Sequence, residues 1–217
     1  TNMSINFANS AFASGNATAV TGAGNTQFII EYAGVGAIQE GDSSANILLG
    51  RGVDDIIYGN GGNDSINGLE GDDTIDISDS SVGSVKVGIS ALTNGLDTII
   101  GLKGGVSNLG GDIIDFSAIA NLTDSIATGV TIDTDFNNDN VFIFSSVSTT
   151  VSNAATAIAN DVSVTATEGY IAIIDANNSD SLIVYHSDNL ANDGIETALV
   201  VLTGISIEDV TADNFLV

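Results

Sequence analysis

Apolar and polar residues alternate along much of the chain, and β-branched residues occupy many of the apolar positions. The segment SVKVGIS (84–90) alternates in this way, and TQFIIEYAG (26–34) and TALVVLTGI (197–205) also contain β-branched residues typical of strands. A period of two with β-branched residues predicts β-strands. One segment differs, since SNAATAIANDV (152–162) is rich in alanine and can be capped by Ser152 or Asn153. It predicts one short helix in an otherwise all-β chain.

A strict nine-residue period replaces this simple alternation between residues 41 and 76. The four units are GDSSANILL (41–49), GRGVDDIIY (50–58), GNGGNDSIN (59–67) and GLEGDDTID (68–76). Glycine opens each unit and allows the backbone angles of a tight turn. The last three residues predict a strand whose middle residue, Leu or Ile, points inward. Two units make one coil, and stacked coils predict two parallel sheets with these aliphatic residues between them.

The sixth position of each unit gives the repeat its chemistry. It is asparagine in the first unit and aspartate in the other three. The turn points several carbonyls in one direction, and the carboxylate adds to them. Ligands that are all oxygen, in a flexible geometry, suit a hard divalent cation, calcium above others. The alternative is a set of ordinary Gly-Asp hairpin turns, but such turns need no fixed period.

Charge and composition narrow the possible partners. The chain has 28 acidic and three basic residues, a formal net charge of -25. This charge disfavours nucleic acid and anionic membranes and favours cations. The apolar content of 43% excludes an acidic disordered tail, and the absence of cysteine excludes disulfides and thiolate metal sites. Apolar runs are too short to cross a bilayer, so we expect no transmembrane segment.

The four units resemble the glycine- and aspartate-rich nonapeptides of the repeats-in-toxin (RTX) family. The resemblance implies a parallel β-roll (a β-solenoid) with Ca²⁺ between its coils, and export by type I secretion. We therefore expect an N-terminal strand and linker region at 1–40 and a calcium-binding roll with its cap at 41–120. A β-rich region with a type I secretion signal in EDVTADNFLV is expected at 121–217.

The resemblance also implies ligands, with each ion held between units two apart. The first predicted site combines two carboxylates with four carbonyls: Asp55, Asp73, Arg51, Val53, Gly68 and Glu70. The second combines one carboxylate and one amide with four carbonyls: Asp64, Asn46, Asp42, Ser44, Gly59 and Gly61. We expect the second site to be weaker because Asn46 removes a negative charge. Ser44 and Val53 replace the usual fourth-position glycine, which strains a turn that needs a positive φ.

Two incomplete ligand sets could bind further ions if later residues complete them. Their members are Asn60, Gly62 and Asp64, and Leu69, Gly71 and Asp73. Asp79 is a candidate to complete one set. Asp97 and Asp112 lie in NGLDTIIG (94–101) and GGDIIDFSAIA (110–120), which resemble segments that close the roll. They are candidate capping ligands, or alternatively turn aspartates with no ion.

No catalytic motif stands out. His186 is the sole histidine, no serine lies in a nucleophile elbow, and no histidine pair could bind zinc. DTDFNNDNVFIF (133–144) has the acidic spacing of an EF-hand loop but lacks its glycine and its final glutamate, so it predicts an acidic turn before a strand. We therefore expect no enzymatic activity, and we expect His186 to be a strand residue beside a turn.

Two functions fit these observations. The favoured one is a calcium-stabilised structural module of an exported bacterial cell-surface protein, the C-terminal part of a surface-layer (S-layer) subunit that folds on binding calcium after type I secretion. The alternative is the C-terminal RTX and secretion domain of a secreted protease, lipase or adhesin. Four outward positions are apolar and should be covered by residues 1–40, other domains or self-association: Ile47, Leu49, Ile56 and Tyr58.

Overall fold

The computed structural model describes the whole repeat region and much of the rest of the chain. The described residues are 17–22, 25–30, 36–78, 84–104, 111–119, 126–130, 141–144, 150–160, 168–175, 177–192, 194–205, 209–210 and 214–216. Asp79 and the acidic stretch 131–140 lie outside them, so the predictions for those residues stay predictions.

Strands alternate between two sheets through the repeat region. One sheet contains β3 (Ile38–Glu40), β5 (Ile56–Tyr58), β7 (Thr74–Asp76) and β9 (Asp97–Ile100). The other contains β4 (Ile47–Gly52), β6 (Ser65–Glu70), β8 (Lys86–Gly88) and β10 (Ile113–Asp115). Within each sheet the neighbouring strands are parallel and in register, so that Ile57 lies beside Ile75 and Leu48 beside Ile66. The predicted parallel β-roll is confirmed.

The core lies between the two sheets and is built from the eighth position of each unit. Leu48, Ile57, Ile66 and Ile75 are buried in one hydrophobic cluster. Full burial of one such side chain contributes about 1.5–3 kcal/mol. Gln39 occupies the equivalent place in β3, where it is buried and its Nε2 donates a hydrogen bond to the carbonyl of Leu49. The aliphatic core therefore ends at β3 with a polar side chain.

The C-terminal part of the chain adds the last coil of the roll. Strand β15 (Glu196–Thr203) pairs in parallel with β9, and β16 (Phe215–Leu216) pairs in parallel with β10. Leu202 and Phe215 extend the same core. The segments 94–101 and 110–120 resemble roll-closing sequences, but their strands continue the stack because apolar strands from the C-terminal part pair beyond them.

Four further strands widen one sheet beyond the roll. They are β11 (Ile126–Val130), β12 (Val141–Phe144), β13 (Gly169–Asp175) and β14 (Asn178–Ser187), and the last two form an antiparallel pair that joins β15. A separate antiparallel hairpin contains β1 (Ala17–Gly22) and β2 (Asn25–Ile30). A short 3-10 turn spans Leu190–Asn192. Strands β2 and β15 overlap the segments 26–34 and 197–205, and β12 forms the end of the segment 133–144, where strands were predicted.

The predicted helix is α1 (Val151–Asn160), which buries Ala154, Ala155 and Ile158. Its cap differs from the prediction. The side-chain oxygen of Thr150 accepts a hydrogen bond from the backbone of Asn153, so the helix begins earlier and Ser152 and Asn153 lie inside it. Among the described residues, no helix has the length and apolar character needed to cross a membrane.

Candidate metal sites

The turns of the roll stack in two columns, one on each side of the sheets. The first column contains the turns 50–55, 68–73 and 89–97, which lead from the sheet with β4, β6 and β8 to the sheet with β5, β7 and β9. The second column contains the turns 41–46 and 59–64, which lead in the opposite direction. Because the strands are parallel and in register, equivalent turn positions lie directly over one another.

Position six of the first column carries three aligned carboxylates. Asp73 Oδ1 accepts a hydrogen bond from the backbone nitrogen of Asp55 at 2.7 Å, and Asp97 Oδ1 accepts one from that of Asp73 at 3.1 Å. Asp55 in turn accepts one from Ala37. All three aspartates are buried, each with 1% of its surface exposed. The structure therefore brings Asp97 into the same line as the predicted ligands Asp55 and Asp73.

Position six of the second column is interrupted. Asp64 Oδ1 accepts a hydrogen bond from the backbone nitrogen of Asn46, and Asp112 Oδ1 accepts one from that of Val85, both at 2.8 Å. The pairing of β6, β8 and β10 places Val85 at the level between Asp64 and Asp112. Since valine has no oxygen in its side chain, Asp112 does not continue the carboxylate line from Asp64.

The turn backbone takes two forms. In the third and fourth units, positions two and four have left-handed angles, with φ of 57° at Asn60, 102° at Gly62, 72° at Leu69 and 120° at Gly71. Ser44 does not adopt a positive φ at position four of the first unit, and neither does Val53 in the second. The backbone strain that a positive φ would impose on Ser44 and Val53 is therefore absent, because the first two units use a different turn.

The donor atoms of the first predicted site fit a hard cation. An added Cβ on Gly50 would lie 2.1 Å from the Gly68 carbonyl oxygen and 2.8 Å from Asp55 Oδ2, so both oxygens approach the same glycine. Asp73 Oδ2 is buried and has no hydrogen-bond partner among the described residues. A buried carboxylate oxygen without a partner is costly unless a ligand satisfies it. An oxygen-only set of this kind suits Ca²⁺.

The second predicted set is also brought together by the stack. An added Cβ on Gly41 would lie 2.4 Å from the Gly59 carbonyl oxygen and 2.5 Å from Asn46 Oδ1. An added Cβ on Gly62 would likewise lie 2.2 Å from the Ser44 carbonyl oxygen. Across the described ranges, no three or more His, Cys, Asp or Glu side chains gather at one point. This agrees with sites that combine at most two carboxylates with backbone carbonyls.

A third set in the first column is more complete than the sequence suggested. Gly95 has φ of 111° and corresponds to Gly71, while Asp97 corresponds to Asp73. The Asn94 carbonyl accepts a hydrogen bond from the Gly71 nitrogen at 2.6 Å, so the two turns stack closely. Asp97 can thus complete the set of Leu69, Gly71 and Asp73. The sequence contains a signal for this set, because Gly95 and Asp97 have the same spacing as Gly71 and Asp73.

Burial and mutual repulsion disfavour ionisation in this column. Burial, with a smaller contribution from the neighbouring charges of Asp55, Asp54 and Asp72, raises the pKa of Asp73 to about 6. Burial and the charges of Asp73 and Asp72 raise the pKa of Asp97 to about 7. Bound calcium supplies positive charge beside these carboxylates. Asp73 and Asp97 would then be held ionised inside the roll.

The raised pKa values predict how the stability of the calcium-free roll depends on pH. Between about pH 4 and pH 7 the folded chain binds more protons at Asp73 and Asp97 than the unfolded chain does, so stability falls as pH rises. With chelator present, we expect the urea midpoint to be higher at pH 5 than at pH 8. With saturating calcium the order should reverse, because protons compete with the ion. A midpoint that rises with pH in chelator would contradict the assignment.

The repeats themselves identify the ion. Residues 40–75 match the family model of the RTX calcium-binding nonapeptide repeat, in four copies. This segment is therefore a set of RTX repeats, and Ca²⁺ is the cofactor it binds. Such repeats are typical of secreted proteins.

Comparisons over the whole chain add little. A solved structure that resembles the chain is that of the AlgE6R3 subunit from the Azotobacter vinelandii mannuronan C5-epimerase. It is 19% identical, covers 81% of this chain and 80% of its own, and has a TM-score of 0.25. A TM-score this low does not establish that the two chains share one fold. No curated protein matches the chain.

Proposed function

We propose that the chain is a calcium-stabilised structural module of an exported bacterial cell-surface protein, the C-terminal part of an S-layer subunit that folds on binding calcium after type I secretion. The observation that carries this proposal is the buried line of Asp55, Asp73 and Asp97 in a chain that has three basic residues and a net charge of -25. Such a line is unfavourable where calcium is scarce and becomes favourable where it is abundant. Extracellular calcium modules commonly have dissociation constants of about 10⁻⁴–10⁻³ M.

The outward faces of the first coil support assembly with another surface. Ile47 and Leu49 are 76% and 51% exposed on the outer face of one sheet, and Ile56 and Tyr58 are at least one-third exposed on the outer face of the other. The four predicted positions thus lie on two opposite faces of the roll. In the next coil the equivalent residues are polar, namely Ser65, Asn67, Thr74 and Asp76. Within the four repeats, the exposed apolar surface therefore lies on the first coil, as expected for a contact with a neighbouring domain or subunit.

The surroundings of His186 support a structural rather than an enzymatic role. His186 is buried in β14, and its ring packs edge-on against Tyr170 with centroids 5.5 Å apart. Burial lowers the pKa of His186, so the side chain is neutral at physiological pH. A neutral histidine within the sheet packs as a core residue and is remote from solvent. We propose that the chain has no catalytic activity of its own.

Assembly can be tested on the purified chain by following particle size and electron micrographs as calcium is raised. The proposal predicts sheets or defined oligomers at about millimolar calcium and monomers in chelator. Ile47→Ser should abolish assembly without lowering calcium affinity. Ile195→Ser is the matched control, because Ile195 is 72% exposed but lies away from the repeats. A chain that folds with calcium yet stays monomeric at every concentration would contradict the surface-layer role.

A further inference from the structure

We infer that position five of the repeats is a positioning residue for calcium binding, because its side chain fixes each turn against the next one. The residues concerned are Asp54, Asn63 and Asp72, none of which is among the predicted ligands. The inference depends on the calcium-binding repeats alone and holds whether or not the chain belongs to a surface layer. It rests on a hydrogen bond that recurs in both turn columns.

In the first column the contact occurs twice in succession. Asp54 Oδ1 accepts a hydrogen bond from the backbone nitrogen of Asp72 at 2.9 Å. Asp72 Oδ1 accepts one from the backbone nitrogen of Leu96 at 2.8 Å. In each case the donor occupies position five of the following coil. The fifth position therefore binds the backbone of its own counterpart one coil later.

The second column shows that the oxygen atom is what matters. Asn63 Oδ1 accepts a hydrogen bond from the backbone nitrogen of Ser84 at 3.0 Å. Strands β6 and β8 pair so that Ser84 is the counterpart of Asn63 in the next coil. Asparagine and aspartate thus make the same contact, although only one of them is charged. An acceptor oxygen at this position is sufficient, and a negative charge is not required.

Position six makes the reciprocal contact. The Asp73 carboxylate accepts from the Asp55 nitrogen of the preceding coil, while Asp54 accepts from the Asp72 nitrogen of the following coil. Two adjacent residues of each turn therefore bind the neighbouring turn in opposite directions. Such a pair restricts both sliding and rotation of one turn over the other. The carbonyls and carboxylates that surround the ion are then held at one spacing before it binds, which lowers the entropic cost of binding.

The first unit supplies an internal comparison. Its fifth residue is Ala45, whose methyl group cannot accept a hydrogen bond. The turns 41–46 and 59–64 are therefore joined by the position-six contact, from the Asn46 nitrogen to Asp64, without the position-five contact. This gives a second reason, besides the amide of Asn46, for weaker calcium binding in that pair of turns.

The test compares Asp72→Ala with Asp72→Asn in the full chain, using calorimetric calcium titration against a competing chelator. Loss of one hydrogen bond that aligns the turns should weaken the affinity of the first column by roughly tenfold in Asp72→Ala. Asp72→Asn keeps the acceptor and should stay within about threefold of the unmodified chain, since the lost charge is exposed and screened. Equal weakening by both variants would overturn the inference, because charge would then be responsible. An unchanged affinity in Asp72→Ala would overturn it as well.

If Asp72→Ala fails to fold, the same contact can be tested by adding it to the first unit, where it is missing. Ala45→Asn places an acceptor at the exposed fifth position of the first unit and should tighten the weaker site several-fold. Ala45→Leu is the matched control, because leucine has nearly the shape of asparagine but cannot accept a hydrogen bond. Circular dichroism in saturating calcium verifies that both variants retain the roll. If Ala45→Asn binds calcium no better than Ala45→Leu, position five has no positioning role.

Discussion

Replacing Asp73 with asparagine should stabilise the calcium-free roll and destabilise the calcium-bound roll. Asp73 is buried between Asp55 and Asp97, and its burial, with a smaller contribution from the charges of Asp55, Asp54 and Asp72, raises its pKa to about 6. Asparagine keeps the Oδ1 acceptor for the Asp55 nitrogen and removes the charge. In chelator at pH 8 we therefore expect the free energy of unfolding to rise by about 1–2 kcal/mol, because solvent screens part of the repulsion.

With calcium present the sign reverses. Asp73 belongs both to the first predicted site and to the set that Asp97 can complete, so one substitution would remove a charged oxygen from two predicted sites. A hundredfold loss of affinity at one site lowers the calcium-dependent stabilisation by about 2.7 kcal/mol at saturating calcium. Urea unfolding of the two proteins, each with chelator and with calcium, measures both effects. Asp76→Asn is the control, since Asp76 lies in the next strand and its Oδ1 contacts Ser78. A substitution that is destabilising by the same amount in both conditions would show that Asp73 is not a calcium ligand.

Replacing Gly71 with alanine should disrupt the turn of the fourth unit, residues 68–73. Gly71 has φ of 120°, a conformation that costs an L-residue of order 1–3 kcal/mol. The added Cβ would also lie 2.4 Å from the carbonyl carbon of Val53 and 2.6 Å from the nitrogen of Asp54. Both contacts are with backbone of the neighbouring turn, so the two turns must separate. We expect a loss of at least about 3 kcal/mol in saturating calcium, together with much weaker calcium binding.

Gly52→Ala provides the matched control for this prediction. Gly52 lies near the same turns, yet the nearest atom to an added Cβ is Glu70 Oε2 at 3.5 Å, the end of a flexible side chain. Its φ is not left-handed, and the substitution should change stability by less than about 1 kcal/mol. Thermal unfolding followed by circular dichroism measures both variants. Equal melting temperatures for the two would mean that the positive φ and close packing at Gly71 are unimportant.

The roll could be predicted because its determinants are local and repeated. Ile57 and Ile75 recur at one position of a fixed period, and period alone places them on the inner face of neighbouring strands. The same reasoning placed Asp55 over Asp73, which the structure confirms by a direct contact. Inward and outward positions then follow from alternation, as the exposed Ile47 and buried Leu48 show.

The ends of the roll could not be predicted in this way. The pairing of β15 with β9 joins segments about 100 residues apart in the chain, and no local pattern encodes such a partner. The polar end of the core at Gln39 depends on a contact across the two sheets. The place of Val85 at position six was hidden because nine residues separate β7 from β8, whereas six separate β5 from β6. Where the period is lost, register is decided by pairing rather than by spacing.

The most direct test of the calcium-bound roll is the urea midpoint of the full chain as a function of free calcium. Ligands that bind only the folded state raise its stability with the logarithm of their concentration above the dissociation constant. We predict a midpoint that is lowest in chelator and rises steadily as calcium approaches and exceeds about 1 mM. A midpoint that is the same in chelator and in millimolar calcium would contradict the assignment of the stacked turns as calcium sites.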